Sequence, residues 1–220
     1  VLAVEGDAGK AAQVLGLQSS CAAAFGLLLN PVVGRFSDQQ GRQPCLVAAL
    51  LLAATPHVLV ARAPRSRGIL FADRVISGAT IEVSLALGRA ALSDLCSGRA
   101  LAAALAKQGA CIGAGQVLGS YVGARLGGAR AFACSAALFT LSACWLMKAL
   151  PETHPKEKRR PFSLAASSPL TFVRLFQDKT MGMLALTAGL QSFADFSNTM
   201  DVSFLYLRTA LGYGQEQIGN

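Results

Sequence analysis

Apolar residues run along this chain in long blocks divided by short polar ones. The first block extends from about Ala11 to Val33 and is broken only by Gln13, Gln18, Ser19, Ser20 and Asn30. Further blocks cover 44–61, 68–91, 105–126 and 129–150, and a sixth runs from about Met181 to Leu207. Wound as α-helices, blocks of about 18 or more residues with few ionisable groups match the ~30 Å hydrocarbon core of a bilayer. The pattern predicts an all-α membrane protein with six spanning helices.

The polar segments set the organisation. Residues 1–10 read as a loop, and Gly34 to Gln43 as a tight polar turn, after which Pro44 suits the first turn of a helix. So short a link makes the first two helices antiparallel neighbours. The most polar stretch, Pro151 to Pro161, is followed by Ser168-Pro169 and a short amphipathic segment, Leu170 to Phe176. This predicts a linker over 151–180 carrying an interfacial helix.

Composition supports a lipid environment. Of 220 residues, 53% are hydrophobic and 15% charged, against roughly 25% charged in soluble domains, and the mean hydropathy is +0.46. A net charge of +8 raises the question of nucleic acid. The Lys and Arg residues, however, sit at the ends of apolar spans with no interleaved aromatics, so the bilayer is the expected partner and nucleic acid is not. Placing the linker 151–180 in the cytoplasm gives the expected excess of positive charge inside, with Arg62, Arg65 and Arg67 dissenting in one outside loop.

Chemistry-bearing clusters are few. Cys21, Cys45, Cys96, Cys111, Cys134 and Cys144 lie in or beside apolar spans with no CxxC and no His pair at ligand spacing, which reads as packing, with no metal and no cofactor. His57 and His154 stand isolated, and neither a nucleophile elbow nor a phosphate loop is present, so an enzyme is not expected.

Several intramembrane or near-membrane residues are candidates on physical grounds. Asp38 and Arg42 carry opposite charges at i, i+4 spacing between Gly34 and Gly41, which allow close approach and reversal. Arg74 lies inside the third span, where an Arg costs about 2.5–3.5 kcal/mol on insertion scales and needs a partner or a wet cavity. Glu82 follows about 12 Å along the same helix axis. Gly115, Gly119 and Gly123 fall on one helix face and suit close packing in lipid. In the sixth span Gln191, Asp195 and Asn198 form a polar stripe. Asp195 is the expected proton-exchanging carboxylate there, and Asp201 is expected at the interface.

The segment Gly34-Arg-Phe-Ser-Asp38-Gln-Gln-Gly41-Arg42-Gln-Pro44 resembles the signature loop G-x-L-S/A-D-R-x-G-R-R/K-P that follows the second helix of major facilitator superfamily transporters. Gln39 and Gln43 replace the usual basic residues. Leu70-Phe-Ala-Asp73-Arg74-Val-Ile-Ser-Gly78 is similar to the family's L-x-x-x-R-x-x-Q/S-G, whose Arg is linked to proton coupling and is matched by Arg74. Gly109 to Ala124 resembles the glycine-rich fifth helix of drug and proton antiporters, with Ser120 where Pro is usual and Ala124 where a second Gly is usual. The order of these motifs, the Pro151-Glu-Thr ending of the fifth span and the Phe204-Leu-Tyr-Leu-Arg208 ending of the sixth resemble the tetracycline-resistance-like branch over residues from about 13 to 220.

That resemblance implies a twelve-helix bundle of which the six spans match helices two to seven. Residues 1–150 would be a first half lacking its first helix, 151–180 the linker, and 181–220 the first helix of the second half and its following loop. The start at Val1, with no Met and no signal peptide, reads as a truncation. The implied function is secondary active transport of a small organic solute, in finer form a proton-coupled, drug-type antiporter, in which Asp38 and Arg42 lock one conformation. The alternative is a non-transporting membrane scaffold or receptor on the same helices, or an inactive truncated product. Nothing in the sequence bears on the oligomeric state.

Overall fold

The computed structural model describes residues 8–155, 157, 159, 173, 176–195, 203 and 206–212. Its helices are α1 (Ala8–Gln40), α2 (Arg42–Arg62), α3 (Arg67–Leu95), α4 (Gly98–Leu126), α5 (Gly128–Ala149) and α6 (Lys179–Asp195). Most of the expected interfacial segment Leu170–Phe176, and most of the sixth span beyond Asp195, lie outside the described residues.

The polar turn expected over Gly34–Gln43 is largely helix. Residues through Gln40 belong to α1, and the chain reverses at Gly41 alone, whose φ of 111° is open to glycine and strained for other residues. The Gly41 N–H closes α1 by donating to the Ser37 carbonyl at 2.9 Å, and the buried Ser37 hydroxyl donates to the Gly34 carbonyl at 2.7 Å. Polarity here marks where the helix leaves the apolar layer and does not stop it from winding. For the same reason α3 continues past Ala91 to Leu95, and α4 starts at Gly98, ahead of its apolar block.

Helix α2 packs most extensively against α5 and α3, and α1 lies along α3. The seams are built from small residues: Ala49, Ala53 and Ala54 of α2, Ala79 and Ala91 of α3, and Ala136 and Ala143 of α5 are buried. Where lipid supplies no hydrophobic drive, short side chains let helices gain van der Waals contact. On the α1–α3 seam a Cβ added at Gly78 would stand 3.1 Å from the Ala22 Cβ, and Gly26 lies beside Ala79.

The expected glycine seam behaves differently. A Cβ added at Gly115, Gly119 or Gly123 meets nothing within 4 Å, and α4 buries no residue. Spacing showed that these glycines share a face; it carried no information about which helix, if any, covers that face among the described residues.

Outward surfaces are strongly apolar, with Leu28, Leu52, Val117, Leu138, Leu141 and Trp145 all exposed. In water such a surface drives association, whereas hydrocarbon is its natural solvent. Four helices, α1, α2, α3 and α5, have the length and hydropathy of a span. Helix α4 is long enough at 29 residues, but its glycines together with Lys107, Gln108, Gln116 and Arg125 dilute it, and α6 is described over 17 residues.

Candidate functional site at the junction of four helices

Arg42 opens α2 and is the hub of a charged cluster. Its Nη2 lies 2.7 Å from Asp38 Oδ1 at the end of α1. Its Nε donates to Asp94 Oδ2 at the end of α3, at 3.2 Å, and its Nη1 donates to the Ser37 hydroxyl. Three faces of one guanidinium are thus taken by two helix ends. A single-residue link at Gly41 makes this possible, because it sets Asp38 and Arg42 across the break from each other while keeping both at the same level.

The segment after α5 completes the cluster. No side chain of its own caps α2; instead Glu152 accepts the Arg42 backbone N–H at 2.8 Å and the His154 N–H at 2.9 Å. A carboxylate at a helix N-terminus satisfies free N–H groups and faces the positive end of the helix dipole. In the opposite sense, the Gln43 amide donates to the Met147 and Leu150 carbonyls at 3.0 and 2.7 Å, capping the end of α5. The first turn of α2 and the last turn of α5 therefore satisfy each other. His154 Nδ1 lies 3.8 Å from Asp94. Beneath the cluster, Cys45, Leu46, Val83 and Leu87 pack with Leu29, Val33, Leu146 and Leu150, so the polar junction rests on an apolar floor drawn from the same four helices.

Burial pushes the Glu152 carboxyl upward, but the N–H groups of His154, Arg42 and Gln43 and the charge of Arg159 outweigh it and hold Glu152 below the ordinary glutamate range. A carboxylate whose folded-state pKa is depressed contributes stability that is present above its unfolded value, about 4.3, and is lost as pH falls through the folded value. The thermal midpoint of the detergent-solubilised chain should therefore fall in acid below about pH 4, and fall less in Glu152→Gln. Equal losses in the two proteins would remove Glu152 from the junction's energetics.

Of the residues singled out in the sequence, the structure brings Asp38, Gly41 and Arg42 together, whereas Gly34 sits one turn before Asp38 on α1 with nothing within 4 Å of an added Cβ, so it serves no close helix approach. Arg74 and Glu82 occupy exposed positions on α3, because the buried stripe of that helix runs through Asp73, Ser77, Thr80, Val83, Leu87 and Ala91. Gln191 is exposed on α6, Asp195 ends that helix with its side chain outside the described residues, and Asn198 and Asp201 lie outside them too. The histidines that stand isolated in sequence are not so in space: His154 neighbours Asp94, and His57 reaches Asp73 at 3.1 Å. Asp94, Glu152 and the capping role of Gln43 were missed. The available signal was positional, since antiparallel alternation puts the ends of α3 and α5 on the side where α1 ends.

Comparison with known proteins bears on what this junction belongs to. The Major Facilitator Superfamily profile matches residues 2–219. A tetracycline resistance protein, class C, of Escherichia coli is 33% identical over 166 residues, covering 73% of this chain and 40% of that protein. Human major facilitator superfamily domain-containing protein 10 is 34% identical over 172 residues, covering 72% of this chain and 36% of that protein. The crystal structure of the human organic anion transporter MFSD10 superposes with a TM-score of 0.73 at 27% identity, covering 93% of this chain and 52% of that one. The chain thus spans between about a third and a half of the length of these relatives. With its apolar helices and a family match along nearly its whole length, this chain is an integral, multi-pass membrane protein and belongs to the major facilitator superfamily.

Proposed function

We propose that the chain acts in secondary active transport of a small organic solute, with the Arg42 junction as a latch for one conformation. The junction carries this reading: it ties the ends of α1, α2 and α3 and the segment after α5 through contacts made by a few charged atoms. A small separation of helix ends breaks all of them together, so the helices have two discrete arrangements and no continuum between them. The relatives support the solute class, one set being named for tetracycline resistance and one for organic anion transport.

On this reading residues 1–150 form a first half-bundle, 151–180 a cytoplasmic linker that contributes Glu152 to the latch, and 181–220 the start of a second half. Arg74, Glu82 and Asp195 are the intramembrane charges of proton coupling on this reading, Gln191 and Asn198 belong to the solute path, and the open glycine face of α4 receives a further helix. No enzymatic role is proposed.

Proteoliposomes bearing the chain test this with a labelled small organic anion and an imposed pH gradient. Gradient-driven uptake is expected, reduced at least about tenfold in Glu82→Gln, as loss of a coupling proton site requires. Uptake no greater than that of empty vesicles would sink transport by this chain and favour the scaffold or receptor reading. Uptake unchanged in Glu82→Gln would remove that residue alone.

A further inference from the structure

At the opposite end of the same helices a second polar cluster is buried. His57 on α2 and Asp73 on α3 each lie between one and two turns inside their helices, with side chains 13% and 11% exposed. His57 Nδ1 is 3.1 Å from Asp73 Oδ1, 3.0 Å from the Ala53 carbonyl oxygen and 3.2 Å from the Ser77 hydroxyl. Ser77 in turn donates to Asp73 Oδ1 at 3.3 Å. From α5, Phe132 and Phe139 close over the imidazole with ring centroids at 5.6 and 5.4 Å.

The geometry fixes where protons sit. A carbonyl and a carboxylate only accept, so Nδ1, facing both, carries the hydrogen and Nε2 is the basic atom. This is not a nucleophile's arrangement: a catalytic serine delivers its proton to Nε2 while the acid holds Nδ1, whereas here Ser77 and Asp73 meet the same nitrogen. What the cluster can do is take up one proton at Nε2. The imidazole becomes imidazolium beside the Asp73 carboxylate, and the pair passes from one net negative charge to none. In a low-dielectric seam a neutral pair is far cheaper than a lone carboxylate.

Among the described residues, few other charged or titratable groups lie on the elements around the pair. Arg74 follows Asp73 on α3, and its charge acts on that carboxylate. On α2 the nearest is Arg62 at the helix end, on α5 Arg130 at the helix start and Cys134. The corresponding part of α1 carries buried Gln18, which is uncharged, Cys21, and Lys10 at the helix start.

We infer that His57, Asp73 and Ser77 form a proton-binding site in the seam of α2, α3 and α5, and that its proton moves with the solute alongside the one proposed at Glu82. The second clause rests on the transport reading above. The site and the latch sit at opposite ends of the same three helices, so a change of charge in this seam acts on the elements that the latch holds.

The sequence contains two histidines, so His154→Gln leaves one imidazole for nitrogen-15 NMR of the full chain in nanodiscs. The expected spectrum shows Nδ1 protonated at high pH and Nε2 gaining a proton as the pH is lowered over the range in which the chain stays folded. Adding Asp73→Asn should weaken proton uptake at Nε2, since the imidazolium then has no carboxylate to neutralise it. An imidazole that keeps one protonation state across the range overturns the site, a result that needs no substitution in it and so survives misfolding of the Asp73 variant. An unmoved transition in folded Asp73→Asn overturns it as well. Pairing the titration with the vesicle assay separates the two ideas. Titration sensitive to Asp73 without gradient-driven uptake keeps the proton site and sinks transport by this chain, whereas uptake without the titration sinks the site and keeps transport.

Discussion

Arg42→Gln is expected to destabilise the chain by about 2 kcal/mol, below the roughly 3–5 seen when one partner of a fully buried ion pair is removed. The discount follows from the 27% and 22% exposure that the Asp38 and Asp94 side chains retain, which lets water take up part of the lost solvation. Removing the guanidinium leaves two carboxylates facing each other across the space it filled, with Glu152 close by. Neutralising them should therefore restore much of the loss: Asp38→Asn with Asp94→Asn in the Arg42→Gln background is expected to recover at least half. Arg42→Lys should sit between wild type and Arg42→Gln, because a single ammonium cannot serve Asp38, Asp94 and Ser37 in three fixed directions as the guanidinium does. Chemical denaturation in mixed micelles reads all four proteins. If Arg42→Lys matches wild type, the junction needs a charge and no particular geometry, and the latch loses its discrete character.

How far the sequence reaches is clearest around this arginine. Its i, i+4 partner, the glycine that breaks the chain and the resemblance to a family loop were all readable, because each depends on residues a few positions apart. Asp94 and Glu152 were not, since they lie 52 and 110 residues from Arg42 and reach it only once alternating helices bring four ends to one side. The helices themselves were legible from the apolar blocks, but their ends were not. A hydropathy boundary reports where solvent changes, and Gly34–Gln40 stay helical beyond it because Ser37 and Asp38 find partners there.

Burial along α3 divides in a similar way. Arg74 stands out in sequence as a charge in an apolar run, yet the packed stripe passes through Asp73, one residue and about 100° away. Which of two adjacent polar residues turns inward is set by the neighbouring helices α2 and α5, whose His57, Phe132 and Phe139 are invisible from α3 alone. The glycines of α4 carry the same lesson with the sign reversed, as a well-formed face in sequence that meets open space in the fold.

Gly41→Ala should have the other large effect, for two separable reasons. The backbone there, at φ 111° and ψ 158°, belongs almost wholly to glycine, and holding another residue in it costs about 1–3 kcal/mol. In addition, the new Cβ would overlap Glu152 Oε2 and stand 2.9 Å from Arg159 Nη2, so the carboxylate must leave the N–H groups it caps. Glu152→Ala removes the cap and leaves the backbone untouched, which gives the two costs different signatures. Gly41→Ala is expected to lower the unfolding free energy more than Glu152→Ala does. Once Glu152 is already alanine, adding Gly41→Ala should cost only the backbone share, so the double variant falls short of the sum of the singles. Additive losses would mean that Glu152 shifts aside freely and caps nothing, and a Gly41→Ala protein as stable as wild type would place the reversal between α1 and α2 elsewhere than at this glycine.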